Sequence, residues 1–330
     1  MVIENGSIVA SYLRDDVDPN EPHDVQSVAK SWMSFLFGTL VDDGLLSLDE
    51  TLGDIFPEDE AWADVSDGST DFRKGATVKE LLTMTTGFMD PTMAWTKALA
   101  QGRAGYDDMP KELGGQSLQG SLADPEIGAK GQYHYLQTSQ IPSYIIMKRT
   151  GMTPRQYQAE RVMEKLGIGE DEYDWNQNDD GVERGFDGIH LTPMQMAKFG
   201  QLYLQGGRTS PSNDERVISQ EWIDASFTAY TITNDPFLLD MGMKPFPYGF
   251  TWNKLLSRPT VAYALDGLGH YVCVDRDLGR VVIQQIDRPD ISDGRIRDEV
   301  VNLVLEGSLS FHATNAGGLT GMSSKSVESE

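Results

Sequence analysis

Two residues able to support nucleophilic chemistry stand three positions apart near the start of the chain, Ser27 and Lys30, in the run Ser27-Val28-Ala29-Lys30. On a helix that spacing places a hydroxyl and an amine on one face. A serine hydroxyl is a weak nucleophile until a base takes its proton. A lysine amine can take it, or relay it, where burial disfavours the ammonium form, and Lys30 stands among Val28, Ala29 and Trp32. A helix N-terminus adds unpaired N–H groups and the positive end of the peptide dipoles, so the Ser27 amide can donate to a tetrahedral oxyanion. The chemistry to which the pair points is acyl transfer. Ser-x-x-Lys by itself is a common tetrapeptide whose plain alternative is an exposed pair on a helix. Here Lys30 is the only lysine with serine three positions before it, and the match opens an apolar helix.

That helix is legible from its spacing. Val28, Trp32, Phe35, Leu36, Leu40 and Val41 recur at three- and four-residue steps, and Gly44 ends the pattern. Upstream, residues 1 to 13 with Asn5-Gly6 read as a hairpin, followed by a loop rich in Asp and Pro from Asp15 to Asp24. Helical patterns follow at Thr77 to Met84, Gln140 to Arg149, Pro154 to Leu166 and Pro193 to Leu204. The period then changes, and Tyr248 to Asn253, Val261 to Leu265, Tyr271 to Asp275 and Arg280 to Ile286 read as strands of a meander. A last helix is expected over Arg295 to Leu305. The expected fold class is α/β (α+β): an antiparallel sheet flanked by helices, built from residues 1–58 and 241–310, with a mainly helical domain over 59–240. The small, polar residues 311–330 are expected to be a disordered tail.

Composition narrows the function classes. A chain of 330 residues with 39% hydrophobic content can bury a sizeable core. Its net charge of −24 argues against nucleic-acid and anionic-membrane surfaces, which need clustered cations. No apolar run is long enough for a membrane span, and Met1 to Ala10 shows no export signal, which leaves cytoplasmic and periplasmic locations both open. The single cysteine, Cys273, excludes an intrachain disulfide and reads as a buried thiol in a strand. Neither His-Glu-x-x-His nor Cys-x-x-Cys occurs, and no cofactor or metal is expected. Asn176 to Gly181 is a weak likeness of a calcium loop, better read as an acidic solvated loop, and Asn5-Gly6-Ser7 is a chance sequon. Gly-x-Ser-x-Gly is absent and only five histidines are present, so a Ser-His-Asp triad is not expected.

Several segments, in order, resemble one family. Ser27-Val28-Ala29-Lys30-Ser31, Gly44 to Asp49, Ile55 to Glu58, Val78 to Gly87, and Gly188 to Pro193 with Met196 to Gly200 are similar to the serine β-lactamase and penicillin-binding superfamily. The likeness is greatest to its esterase and 6-aminohexanoate-dimer hydrolase branch and spans about residues 5 to 305. It implies a β-lactamase-like fold and a serine hydrolase acting on a small-molecule ester or amide. It also implies a catalytic tyrosine in Gln132 to Gln137, where Tyr135 is the match and Tyr133 the rival.

The third element of such proteins, Lys-Thr-Gly or a Gly-rich variant, is represented by Ala264-Leu265-Asp266-Gly267-Leu268-Gly269-His270. By that resemblance the Gly267 N–H is the second oxyanion donor beside Ser27, and Asp266 lies at the substrate. Asp266 stands where the branch has glycine and His270 where it has glutamine, and the missing lysine argues against an efficient β-lactamase. A D-Ala-D-Ala peptidase or weak β-lactamase, and a noncatalytic binding protein on the same fold, remain as alternatives. Trp95, Trp175 and Trp252 are each candidates for the cleft wall or for packing.

Overall fold

The computed structural model describes residues 1–13, 17–57, 73–89, 126–127, 130–135, 140–210, 216–234, 245–255, 257–266 and 269–286. The helix expected over 295–305, the tail at 311–330 and Trp95 lie outside the described residues.

The N-terminal hairpin is β1 (Val2–Glu4) and β2 (Ser7–Ala10). Its turn uses Asn5 and Gly6 at φ of 49° and 80°, the left-handed pair that matches strand twist in a two-residue hairpin. Short strand β3 (His23–Asp24) leads into α1 (Val28–Asp42). Next come α2 (Leu52–Ile55), α3 (Val78–Leu82), the two-residue strands β4 (Phe88–Met89) and β5 (Glu126–Ile127), and α4 (Ile141–Thr150). Helix α5 (Pro154–Gln158) continues as a π-helical turn over Ala159–Met163. Strands β6 (Asp174–Trp175) and β7 (Ile189–Leu191) precede α6 (Pro193–Leu204) and α7 (Gln220–Ser226). The chain then forms β8 (Thr231–Ile232), β9 (Pro247–Tyr248), β10 (Asn253–Lys254), β11 (Val261–Leu265), β12 (Tyr271–Asp275) and β13 (Arg280–Gln284).

One eight-stranded sheet runs in the order β2-β1-β13-β12-β11-β10-β9-β8. Strands β11, β12 and β13 form an antiparallel meander, with Tyr263 opposite Cys273 and Cys273 opposite Val282. Strand β1 closes on β13, with Ile3 opposite Val281, so the first and last described strands are neighbours. A second sheet, β3-β7-β6, holds the entry to α1. The expected strand over Tyr248 to Asn253 is instead two short pieces, β9 and β10. Between them the chain reverses: Gly249 N–H bonds to Trp252 O, and Thr251 sits at a φ of 59°. A β-branched residue is strained there.

Helix α1 is buried from Val28 through Leu40 and threads the centre of the molecule. Trp32 lies 4.9 Å from Phe199 of α6, and Phe199 lies 5.7 Å from Trp252. Helix α6 lies close on the meander because Gly200 has no side chain, and a Cβ there would come within 2.5 Å of Val281 Cγ1. The Trp32 indole donates to Gln158 Oε1 at 2.7 Å, which pins α1 where α5 widens into its π turn.

Most of the other helices begin on a hydroxyl that caps them. Thr51, Thr77, Thr153 and Thr192 each accept from the backbone three residues on, while Asp54, Glu80, Gln156 and Gln195 complete reciprocal capping boxes. Ser27 is the N-cap of α1, yet its side chain caps nothing. A serine at this position ordinarily satisfies an orphan N–H. Here the hydroxyl is left for other partners.

Candidate active site

The approach to Ser27 is set by Asp24. Its Oδ1 accepts from the Gln26 N–H at 2.8 Å and the Gly188 N–H at 3.0 Å, and its Oδ2 accepts from Gln26 Nε2 at 2.8 Å. This Asx turn holds Gln26 at a φ of 50°, an uncommon conformation for a non-glycine residue. The chain therefore bends sharply and delivers Ser27 at the head of α1. Among the described residues the Ser27 N–H has no acceptor, as expected for an oxyanion donor.

Three functional groups meet at Ser27 Oγ. Lys30 Nζ donates to it at 3.0 Å, and the Tyr135 hydroxyl donates at 3.0 Å from a residue 108 positions away. Lys30 is 7% exposed. Its Nζ also donates to the Phe186 carbonyl at 3.1 Å and lies 5.1 Å from the centre of the Tyr135 ring. A hydroxyl oxygen can accept two bonds while its own hydrogen points elsewhere, so Ser27 Oγ accepts from both groups at once.

Tyr135 is positioned by the loop after α3. Gly131 N–H bonds to Thr85 O at 2.9 Å and His134 N–H to Met84 O at 2.9 Å. Met84 has a φ of 56°. Tyr133 has a different destination, buried with its ring 5.1 Å from that of Tyr248. Of the two tyrosines, Tyr135 is the one that reaches Ser27 Oγ.

The strained Thr251 supports the helix from below. Its Oγ1 donates to Lys30 O at 3.1 Å, its carbonyl accepts from Ser31 Oγ at 2.6 Å, and its N–H bonds to Leu82 O at 3.0 Å. An apolar cavity of about 30 Å³ lies beside Lys30, lined by Met33, Ser34, Phe37, Leu82, Met84 and Phe186 among others.

The expected third element is only partly in view, since Gly267 lies outside the described residues. Asp266 Oδ1 accepts from the Gly269 N–H at 2.7 Å and the His270 N–H at 2.6 Å, so this oxygen shapes the β11–β12 turn. Both bonds tie Asp266 to the residues that enter β12. His270 is buried, and desolvation, with the neighbouring His23, pushes it down to about 4.

Trp175 is buried and donates to Arg184 O at 2.9 Å and Asp187 O at 3.2 Å, and Trp252 lies in the core, so both pack rather than line a cleft. Cys273 is buried, its thiol pushed up to about 12 by desolvation. At the calcium-like segment, Asn178 Oδ1 accepts from the Asp180 and Val182 amides, an ordinary Asx turn. Among the described residues no cluster of His, Cys, Asp or Glu could hold a metal, and no helix is long and apolar enough to cross a membrane.

Comparison with known proteins agrees with this fold. No curated protein sequence matches the chain. Among solved structures, a Bacillus anthracis protein named as a 6-aminohexanoate-dimer hydrolase superposes with a TM-score of 0.68 at 17% identity, over 94% of this chain and 79% of that one. Simvastatin synthase from Aspergillus terreus gives 0.63 at 17% identity, over 91% and 90%. A family VIII carboxylesterase gives 0.57 at 15% identity, over 86% and 84%. The fold is thus the β-lactamase-like one. The family model for beta-lactamase matches residues 1–305, and the chain belongs to the beta-lactamase family.

Proposed function

We propose that the chain is a serine hydrolase that cleaves an ester or amide bond through an acyl-enzyme on Ser27. The observation that carries this reading is the meeting of Lys30 Nζ and the Tyr135 hydroxyl on Ser27 Oγ, each at 3.0 Å. Ser27 Oγ attacks the substrate carbonyl carbon, and its proton passes to whichever of Lys30 and Tyr135 is deprotonated when substrate binds. The carbonyl oxygen becomes an oxyanion, held by the Ser27 N–H and, by analogy with the family, the Gly267 N–H. The leaving group departs with a proton from Tyr135. Water then attacks the acyl-enzyme, losing a proton to the same pair, and Ser27 recovers its hydrogen.

The structural neighbours named as a carboxylesterase and a dimer hydrolase support an ester or amide substrate. The absence of Lys-Thr-Gly from the sequence removes the cation that would meet a β-lactam carboxylate. The test is a panel of short-chain nitrophenyl esters, small amides, nitrocefin and a D-Ala-D-Ala peptide, run beside Ser27→Ala, with mass spectrometry after a phosphonate ester. Ester or amide turnover and a phosphonyl adduct on Ser27, both abolished in Ser27→Ala, are expected. Turnover confined to nitrocefin or the peptide would move the substrate class, and an unlabelled Ser27 would overturn the mechanism.

A further inference from the structure

The loop from Arg184 to Gly188 is tied down at nearly every residue. Arg184 N–H bonds to Asn176 O at 2.9 Å, Gly185 N–H to Gln140 Oε1 at 2.6 Å, and Gly188 N–H to Asp24 Oδ1 at 3.0 Å. The Trp175 indole is shared between the carbonyls of Arg184 and Asp187. Phe186, at the centre, turns its carbonyl onto Lys30 Nζ.

Across the base of this loop Arg184 and Asp187 face each other as an ion pair, with Nη2 donating to Oδ2 at 2.6 Å and Nε close to Oδ1 at 2.6 Å but outside hydrogen-bond alignment. Both side chains are largely buried, and the guanidinium lies 4.9 Å from the centre of the Phe186 ring. A buried pair of this kind adds little net stability, but breaking it leaves a costly unpaired charge, so it holds one geometry.

We infer that the Arg184–Asp187 pair is a positioning clamp for Lys30, locking the turn that presents the Phe186 carbonyl to the ammonium. The clamp rests on the proposed role of Lys30 as proton carrier. Its chemistry predicts a pH response. The charged groups that face Asp187 are Arg184 on its own loop, Asp24 on β3 and Lys30 on α1. Desolvation outweighs the Arg184 guanidinium, and with Asp24 also opposing ionisation the Asp187 carboxyl is pushed up to about 6. Protonation below that range removes the charge that pairs with Arg184, leaves the guanidinium unmatched and releases the turn.

The experiment measures the pH dependence of Ser27 phosphonylation and ester turnover in the wild type, Asp187→Asn, Arg184→Gln and the double variant, with thermal melts to establish folding. The wild type is expected to lose activity on an acid limb near pH 6. Asp187→Asn should label about tenfold more slowly at pH 7.5, the scale of one weakened charge-assisted hydrogen bond, and lack that limb. Arg184→Gln should slow labelling similarly, and the double variant should be little worse than either single one. A folded Asp187→Asn with wild-type rates and an unshifted limb would overturn the clamp while leaving the Ser27 mechanism intact. If Asp187→Asn does not fold, Arg184→Gln decides by the same readouts. Absence of any adduct in the wild type sinks the Ser27 mechanism, and the clamp as a catalytic device with it.

Discussion

The Tyr135 hydroxyl donates to Ser27 Oγ at 3.0 Å, whereas Tyr133, two residues earlier, turns its ring against Tyr248. Tyr135→Phe removes the phenolic proton without emptying the site. It is expected to lower kcat for ester hydrolysis by roughly 10²- to 10⁴-fold, the range of a general acid or base. Tyr133→Leu should leave kcat nearly intact and cost about 1 kcal/mol of stability through the lost ring pair. Steady-state kinetics and urea unfolding of both variants check the assignment, which fails if Tyr133→Leu is the inactive one.

Lys30 sits where a compact ammonium bonds to Ser27 Oγ and Phe186 O at once. Arginine keeps a cation but brings a planar fork that does not lose its proton at working pH. Lys30→Arg is therefore expected to be nearly as inactive as Lys30→Ala, with phosphonate labelling of Ser27 slowed by at least about 10²-fold. Substantial labelling in Lys30→Arg would show that the residue serves only as a fixed positive charge.

How much of this site was legible in the sequence depends on what each contact is made of. Ser27 and Lys30 carried a side-chain signal, because a spacing of three on an apolar helix is a geometric statement. Tyr135 is placed by resemblance, and Asp24 has only a weak local sign, an Asp two residues before Gln26 at the mouth of a helix. The Phe186 carbonyl left no trace, since every residue has a carbonyl and only the fold decides which one faces Lys30. The break between β9 and β10 was missed for a related reason: Tyr248 to Asn253 is aromatic and apolar enough for a strand, but Thr251 is recruited to Lys30 O and Ser31 Oγ. Tertiary hydrogen bonds override local β-propensity there.

His270 stands where glutamine occurs in the family branch that the sequence resembles, and it is buried with its pKa lowered to about 4. Its unfolded value lies near 6.5. A depressed histidine contributes stability that is present above about pH 6.5 and is lost as pH falls through about 4, on the order of 3 kcal/mol in all. Asp187, raised to about 6, works in the opposite sense, contributing stability at low pH that fades as pH rises through 6. The informative quantity is consequently the difference between the wild type and His270→Gln. Unfolding free energies from pH 4 to 7 should rise less steeply with pH in His270→Gln, and parallel curves would contradict a neutral, buried His270.

Ser34 lies one turn beyond Lys30 on α1, 0% exposed, and its hydroxyl has no partner among the described residues. A helical serine in that position usually bonds back to the carbonyl four residues earlier. That carbonyl belongs to Lys30 and already accepts from Thr251 Oγ1 at 3.1 Å. The unpaired hydroxyl carries a desolvation penalty of about 1–3 kcal/mol, and alanine is in addition the better helix former. Ser34→Ala is therefore expected to raise stability by about 1 kcal/mol in urea unfolding while leaving ester turnover unchanged. A loss of stability instead would show that the hydroxyl is paired in solution, with a water in the neighbouring cavity as the partner to look for.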